Sequence, residues 1–434
     1  MKRLEPFLLG YTLQYAEFND EAIKMDKQRI CFLVGSIAIS GGTYVIIEHA
    51  AYLHDQGYEI TLAIQESFIP KTLGWHDRIS KLRCVPIEVA KREVFDLVIA
   101  TWWKTAIELR YFKAPRLAYF VQSIESRFYP ETEVTLRALV DATYQIPVAY
   151  VTEASWIQDY LKTKYGHDVS LVRNGIRKDI YRPMGNSIAL RDPNRMPRVL
   201  VEGHFGVSFK NTALGIRLAR EAGAKDIWVL TGTQVKWIPG VSKVFSRVPM
   251  NITPEIYRSC DILVKLSTVE GMFGPPLEMF HCGGTAIVFD VTGHDEYIID
   301  GQNACVVKNG DMDGVVNTLK RLLNDQSELT RLQSGALMTA DRWESWNDAS
   351  TAFHGWVKMI LAKPVVDTKT VVEMCDKMLS DYVRDEKESL STQFTRSRQH
   401  ESIVIALIRS IMQRSPFKQL KIAKEVLFVP RIVH

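Results

Sequence analysis

The sequence lacks several patterns that mark well-known functional classes. It has six cysteines in 434 residues, but none forms a Cys-x-x-Cys pair or joins histidines at metal-binding spacing, which disfavours a structural metal site. No apolar run approaches the roughly 18 residues of a membrane span, and polar residues interrupt the N-terminal stretch too soon to predict a signal peptide. A Gly-x-Gly-x-x-Gly fingerprint is absent, which disfavours an NAD-dependent dehydrogenase. We therefore expect a cytoplasmic protein with reduced thiols.

The net charge is small as well. At +4 it does not favour nucleic acid as a partner. The exception is 396–434, where eight lysines and arginines accompany two acids. Apolar residues mixed with cations are typical of a helix that contacts anionic lipid. A solvated helical appendage is the simpler interpretation, and peripheral membrane contact through 396–434 is the alternative.

From residue 29 onward, short apolar runs alternate with helical patterns. Runs such as RICFLV, YEITLAI and FDLVIAT are typical of buried parallel strands, and the helices between them predict an α/β fold. A polar, proline-rich stretch interrupts the alternation, which then restarts. We assign 1–28 to an N-terminal extension, 29–181 and 196–342 to two Rossmann-like domains, 182–195 to a linker, 343–363 to a further helix, and 364–434 to a basic helical extension.

The densest chemical signal follows the strand DILVKLS. The segment 268–284 predicts a glycine-bearing loop and then a helix that starts at a Pro-Pro pair. The N-terminus of such a helix attracts anions, while Gly271 and Gly274 let a ligand approach the backbone. Glu270 in the loop and Glu278 in the first helical turn can face one crevice at the carboxyl end of the sheet. Two carboxylates there suit the vicinal hydroxyls of a ribose or a hexose.

This Glu-x7-Glu spacing resembles the retaining GT-B glycosyltransferases of glycosyltransferase family 4. Further matches occur in the family's order at Gly41-Gly42, at 172–183 and at 292–303. A lone Glu-x7-Glu would be weak evidence, whereas ordered matches at domain-sized spacing are specific. The resemblance implies the GT-B fold, in which two parallel-sheet domains face each other across a cleft. It also implies that the first domain binds the acceptor, the second binds the donor, and helix 343–363 crosses back to the first domain.

The resemblance also implies roles for individual residues. Glu278 is expected to hold the ribose hydroxyls of the donor, and Glu270 to face the donor sugar in catalysis. Lys210 is expected to neutralise the diphosphate, whose negative charge grows as it departs. The other expected donor contacts are Gly271, Met272, Phe273, Gly274, Gly41, Gly42 and Asn174.

At the phosphate end this chain departs from the family pattern. The family has an arginine after the glycine that precedes the lysine, whereas this chain has His204 and one more residue before Lys210. We expect His204, Arg247 or Arg173 to supply the second phosphate contact.

A second departure lies in the first domain. Gln122 stands where the family often has a histidine near the donor sugar. The form Gln-x-x-Glu-x-x-Phe-Tyr-Pro over 122–130 resembles a bacterial subgroup that includes rhamnosyltransferases with a thymidine diphosphate donor. We expect Gln122, Glu125 and Trp102 on the acceptor or donor-sugar side, with core packing as an equal interpretation of Trp102.

Together these features predict a hexosyltransferase of bacterial surface polysaccharide synthesis that works without metal or cofactor. It would move a sugar, with rhamnose as one hypothesis, from a dTDP-, UDP- or GDP-linked donor to a glycan or lipid-linked saccharide, with retention. Two alternatives stay open. A sugar-nucleotide epimerase would act without an acceptor, and a non-catalytic sugar-nucleotide-binding protein would not turn the donor over.

Overall fold

The computed structural model describes residues 27–68 and 70–396, together with Ile422 and Val426. The predicted N-terminal extension and the basic segment 396–434 therefore lie almost entirely outside the described residues. Within the described part of the chain, no helix is both long and apolar enough to span a membrane.

The first domain is a parallel sheet with helices on its faces. Its strands are β1 (Arg29–Val34), β2 (Glu59–Ile64), β3 (Arg83–Pro86), β4 (Leu97–Ala100), β5 (Leu117–Val121), β6 (Ala149–Thr152) and β7 (Val169–Leu171). Its helices are α1 (Gly41–Asp55), α2 (Ile87–Ala90), α3 (Trp103–Glu108), α4 (Val134–Thr143) and α5 (Ser155–Tyr165). The strand order is β3-β2-β1-β4-β5-β6-β7. Because helices cover both faces, the central strands are apolar and buried along nearly their whole length.

The second domain repeats this plan. Its strands are β8 (Val199–Glu202), β9 (Ile227–Thr231), β10 (Lys243–Ser246), β11 (Ile262–Lys265), β12 (Thr285–Phe289) and β13 (Cys305–Val307). Its helices are α6 (Thr212–Glu221), α7 (Thr253–Ser259), α8 (Gly274–His281), α9 (Met312–Asn324) and α10 (Gln326–Arg342). All six strands are parallel, in the order β10-β9-β8-β11-β12-β13.

In each sheet the strand order reverses beside the first strand. β1 lies between β2 and β4, and β8 lies between β9 and β11. The loops that leave the carboxyl ends of such neighbours run to opposite sides and open a crevice, which is where open α/β sheets bind ligands. The fold thus places one crevice in each domain.

Two helices follow the second domain: α11 (Trp346–Leu361) and α12 (Thr368–Arg396). α11 packs into the core of the first domain, where Phe353 stacks on His49 with ring centroids 4.2 Å apart. A capping box of Ser345 and Asp348 fixes the start of α11.

The two described residues of the C-terminal tail lie against the second domain. Ile422 and Val426 are buried in its hydrophobic core. These two apolar side chains therefore contribute to the packing of the second domain. The predicted membrane contact of 396–434 otherwise falls outside the described residues.

Candidate active site

A cavity of about 630 Å³ lies between the domains, where β1 and β4 of one sheet and β8 and β11 of the other end. The structure brings almost all predicted site residues to its wall. The wall includes Gly41, Gly42, Trp102, Gln122, Glu125, Asn174, His204, Lys210, Arg247, Glu270, Gly271, Met272, Gly274 and Glu278. Phe273 is not part of the wall, because its side chain is fully buried in the core and its carbonyl accepts a hydrogen bond from Tyr297.

Glu270 is an ion-paired carboxylate in the loop after β11. Lys210 Nζ lies 2.7 Å from its Oε1 and 2.8 Å from its Oε2, and Lys265 Nζ lies 3.7 Å from Oε1. Burial raises the pKa of the Glu270 carboxyl, but the two ammonium groups outweigh burial and hold that pKa below its usual value. Glu270 is therefore ionised at neutral pH and can accept hydrogen bonds from hydroxyl groups.

Lys265 and Glu202 are site residues that the sequence reasoning missed. They end the neighbouring parallel strands β11 and β8, both line the cavity, and Lys265 Nζ donates a hydrogen bond to Glu202 Oε2. Lys265 is only 2% exposed. The available signal was a lysine inside the apolar run DILVKLS, because a lysine in a buried strand requires a charged partner.

Glu278 projects from α8 and is half-buried. Helix α8 begins at Gly274, one residue before the prolines, so Glu278 is its fifth residue and lies just beyond the first turn. The prediction of a first-turn position is corrected to this extent. Burial raises the pKa of the Glu278 carboxyl to about 7 and Glu202 adds to the rise, while the hydroxyls of Tyr257 and Tyr181 oppose it.

Gly271 lies in close contact with the first domain. Its carbonyl oxygen accepts a hydrogen bond from Trp156 Nε1 at 2.9 Å. A Cβ atom at this position would lie 1.8 Å from the Gln122 carbonyl oxygen. Only glycine permits this approach of the two backbones, so the loop of the second domain touches the first domain at residue 271.

The amide of Met272 is also held by the first domain. Its N–H donates to Glu153 Oε1 at 3.1 Å, and Asn174 Nδ2 donates to Glu153 Oε2 at 2.9 Å. Burial raises the pKa of the Glu153 carboxyl to about 7 against these hydrogen bonds. The Gly274 amide donates to the Met272 carbonyl at 3.1 Å. The predicted donor contacts of Met272 and Gly274 could be made through these amides only if both internal hydrogen bonds were exchanged for bonds to the ligand.

The predicted phosphate cations differ in their surroundings. Burial lowers the pKa of the His204 imidazole, so this side chain is neutral at neutral pH and acts only through hydrogen bonds. Arg173 forms an ion pair with Glu296 at 2.9 Å and is not part of the cavity wall, so the structure does not place it at the site. Arg247 lines the cavity with an exposed side chain and a φ of 55°, a strained conformation typical of functional positions.

On the first-domain wall, Gln122 presents an unused hydrogen-bond acceptor. Its Oε1 is buried without a hydrogen-bond partner among the described residues. A Cβ on Gly42 would lie 2.8 Å from that oxygen, so a small residue at 42 leaves room for it. Trp102 also lines the cavity, but Lys104 Nζ lies over its ring at 4.7 Å from the centroid. A sugar stacked on that face would have to displace Lys104.

Glu125 borders the cavity but is bonded inside the first domain. Its Oε2 accepts hydrogen bonds from the Trp103 amide at 2.7 Å and from the Tyr119 hydroxyl at 3.1 Å. Burial raises the pKa of its carboxyl to about 8, against those two hydrogen bonds. Glu125 is thus protonated at neutral pH. Its hydrogen bonds stabilise the loop after β5, and they do not show a contact with a ligand.

Known proteins share both the segment that carries Glu270 and Glu278 and the overall architecture. Residues 238–337 match the family described as glycosyl transferases group 1. The chain is 24% identical over 274 residues to the O-antigen biosynthesis protein RfbC of Myxococcus xanthus, a match that covers 60% of this chain and 21% of that protein. The chain thus spans about a fifth of the length of this curated relative.

Two solved structures resemble the whole two-domain body. Sucrose-phosphate synthase from Thermosynechococcus elongatus superposes with a TM-score of 0.63 at 14% identity, covering 77% of this chain and 100% of that one. Anabaena HepE, in complex with UDP and glucose, gives 0.60 at 14% identity, covering 76% and 100%. The protein has the GT-B fold. The predicted fold class is confirmed, whereas family 4 membership and retention stay predictions.

Proposed function

We propose that this GT-B protein is a glycosyltransferase that moves a sugar from a nucleoside-diphosphate donor to a saccharide acceptor. The observation that carries this proposal is the arrangement of Lys210, Glu270 and Glu278 around one interdomain cavity beside the start of α8. The cation and the helix N-terminus can bind a diphosphate. The two carboxylates can accept hydrogen bonds from the hydroxyls of ribose and of the donor sugar.

Hydroxyl groups of the donor sugar find acceptors on both walls. Glu270 offers an ionised carboxylate from the second domain, and Gln122 offers a buried carbonyl oxygen from the first. A hydroxyl that donates to Gln122 Oε1 would satisfy a polar atom that is otherwise costly to bury. This pairing supports a sugar that lies between the domains. The subgroup resemblance of 122–130 supports rhamnose from dTDP-rhamnose as the specific hypothesis.

We further propose that transfer proceeds with retention and without metal. The leaving diphosphate would take the proton of the attacking acceptor hydroxyl, and Lys210 with the α8 N-terminus would stabilise its growing charge. The surrounding walls would exclude water, so the donor is protected from hydrolysis until the acceptor arrives. The role of RfbC in O-antigen biosynthesis supports a glycan or lipid-linked saccharide as acceptor.

A panel of nucleotides tests the donor half of this proposal. UDP, dTDP and GDP, and the sugars linked to each, would be added to the full chain in thermal-shift measurements. A true ligand at 100 times its Kd stabilises the folded state by about 2.7 kcal/mol. Stabilisation should be lost in Glu278→Ala, with the exposed-lysine variant Lys320→Met as the matched control. If no nucleotide stabilises the wild-type chain, the proposal is wrong.

Incubation with the stabilising nucleotide sugar then tests the reaction. Nuclear magnetic resonance of the donor alone would reveal an epimerase by the appearance of a second sugar. With a saccharide acceptor, formation of a glycoside whose anomeric configuration matches the donor supports a retaining transferase. Donor that binds but never reacts with any acceptor would instead favour a non-catalytic binding protein.

A further inference from the structure

Four charged side chains meet at the base of the cavity and alternate in sign. Glu202 contacts Lys265, Lys265 lies 3.7 Å from Glu270, and both Glu270 oxygens contact Lys210. Two carboxylates and two ammonium groups make this cluster neutral as a whole. Alternation satisfies each charge locally, which is necessary because Lys265 and Glu270 are buried.

The two lysines are not equivalent. Lys265 belongs to β11, its side chain is 2% exposed, and it is anchored on the neighbouring strand by Glu202. Lys210 lies in a short turn beside Asn211, which has a φ of 48°, and its side chain is 22% exposed. One ammonium group is thus fixed by the sheet, while the other is held by a loop at the cavity wall.

The electrostatic surroundings separate them further. Burial lowers the pKa of Lys265, but Glu202 and Glu270 together raise it above its usual value. Burial also lowers the pKa of Lys210, and Glu270 does not fully offset this. The Lys210 ammonium would therefore gain from a further negative charge, whereas Lys265 already has two carboxylate partners.

We propose that Lys265 is the permanent countercharge of Glu270, and that Lys210 exchanges between Glu270 and the donor diphosphate. This inference rests on the proposed function, because it needs a diphosphate in the cavity. While Lys210 binds both carboxylate oxygens, it competes with a sugar hydroxyl for the acceptor positions of Glu270. When Lys210 turns to the diphosphate, those oxygens become free for the sugar while Lys265 keeps the carboxylate ionised.

Other groups that face Glu270 cannot replace Lys265. The Glu153 carboxyl approaches from the first domain, and the phenol of Tyr297 approaches from the loop at 294–297. A negative charge on Glu153 would disfavour ionisation of Glu270, and the neutral phenol of Tyr297 supplies no positive charge. Without Lys265, burial would raise the pKa of the Glu270 carboxyl once Lys210 leaves it. Lys265 thus acts as a positioning residue through Glu270.

The test compares Lys265→Met with Lys210→Met in two measurements. Titration calorimetry with UDP, dTDP or GDP, whichever binds the wild-type chain, reports diphosphate affinity. The pH profile of kcat at saturating nucleotide sugar reports the ionisation of Glu270, because the titration of Glu278 acts on donor affinity. Lys210→Met should weaken nucleotide binding at least tenfold. Lys265→Met should leave that affinity within threefold but move the acidic limb of kcat up by about one pH unit or more.

A second variant guards against loss of folding, because Lys265→Met leaves Glu202 without its partner. The double variant Glu202→Leu/Lys265→Met removes both charges of the pair and keeps similar volume. It should show the same shifted limb and the same nucleotide affinity. Lys320→Met, which removes an exposed lysine of α9, should change neither measurement.

The outcomes separate the two proposals. If the wild-type chain binds no nucleoside diphosphate, the proposed function is wrong. If it binds one, but loss of Lys265 weakens binding as much as loss of Lys210, then Lys265 is a phosphate ligand and the inference is overturned. An acidic limb that stays in place in both Lys265 variants would overturn it as well.

Discussion

The contact at Gly271 allows a test of whether the site depends on how the two domains meet. In Gly271→Ala the added methyl group would lie 1.8 Å from the carbonyl oxygen of Gln122. That oxygen belongs to the backbone just after β5 and cannot rotate away. The loop after β11, or the whole second domain, must therefore move.

The size of the movement follows from ordinary contact distances. A Cβ atom essentially never lies within 3.0 Å of such an atom, so the two groups must separate by more than about 1 Å. Such a shift would strain the Trp156–Gly271 bond of 2.9 Å and the Glu153–Met272 bond of 3.1 Å. Displacements of about 1 Å in catalytic groups cost on the order of 100-fold in rate. We expect kcat/KM to fall by about that factor.

Gly274→Ala is the matched control. It lies three residues further in the same segment, also lines the cavity, and an added Cβ there meets nothing within 4 Å. Both variants should keep the wild-type melting temperature within a few degrees, because neither changes a domain core. Sugar transfer should fall far less in Gly274→Ala than in Gly271→Ala, because a methyl group at 274 meets no protein atom and affects only the approach of the ligand. Hydrogen exchange of the Met272 amide should accelerate only in Gly271→Ala.

Two results would refute this reasoning. If Gly271→Ala keeps full activity, the close contact between the domains is not needed for the reaction. If both variants lose activity equally, the loss reflects the glycines of the loop in general rather than the contact with Gln122.

Three further predictions concern other parts of the site. Burial raises the pKa of Glu278 to about 7, and its ionised form is the better acceptor for ribose hydroxyls. Affinity for an intact nucleotide sugar, measured by calorimetry, should therefore rise about tenfold from pH 6 to pH 8. The affinity of Glu278→Gln should not change with pH, and a wild-type affinity that does not change with pH would refute the assignment. Glu125 has a folded-state pKa of about 8 against an ordinary 4.5, so the free energy of unfolding falls as pH rises from 4.5 to 8 and the folded protein must ionise a buried carboxyl. Urea unfolding at pH 7 should therefore show Glu125→Gln more stable than wild type by up to about 3 kcal/mol, and the same measurement at pH 4 should show no difference. The rings of Phe128 and Phe209 stack across the cleft with their centroids 5.1 Å apart, and such a pair stabilises the closed arrangement by about 1 kcal/mol. Phe209→Ala should therefore raise the donor KM about fivefold. An unchanged KM would show that the stack does not hold the domains together.

The fold could be predicted well because its signals are local. A short, mostly apolar run with β-branched and aromatic residues, such as RICFLV, favours a strand covered on both faces, and the helical segments between such runs predict parallel connections. Helix α1 ends at Asp55, and Gly57 follows its C-cap residue Gln56 with a φ of 98°, the left-handed conformation in which a glycine commonly ends a helix. Helix α8 begins at Gly274, before the two prolines, because glycine accepts a helical conformation without any local marker. The helix boundaries that the sequence predicts thus differ from the observed ones by a residue or two.

The missing members of the site depend on contacts that are distant in sequence. Glu202 and Lys265 are 63 residues apart, and Glu153 and Met272 are 119 apart. Each pair forms only because the order of the strands or the meeting of the domains makes them neighbours. A motif shows which residues share a loop, such as Glu270 and Gly271. It does not show which strand lies beside that loop, so the partners of the motif could not be predicted.

The loop Glu270–Phe273 is part of the second domain in sequence, but these long-range contacts bind it to both domains. Lys210 and Lys265 hold its first residue from below, while Glu153 and Trp156 hold its next two residues from across the cleft. Opening the cleft would therefore break the hydrogen bonds of Gly271 and Met272 at the same time as it exposes the donor. It follows that the donor site is complete only when the domains are closed. In the proposed transferase, release of the nucleoside diphosphate after each transfer would then be coupled to the loss of these two hydrogen bonds, without any separate lid.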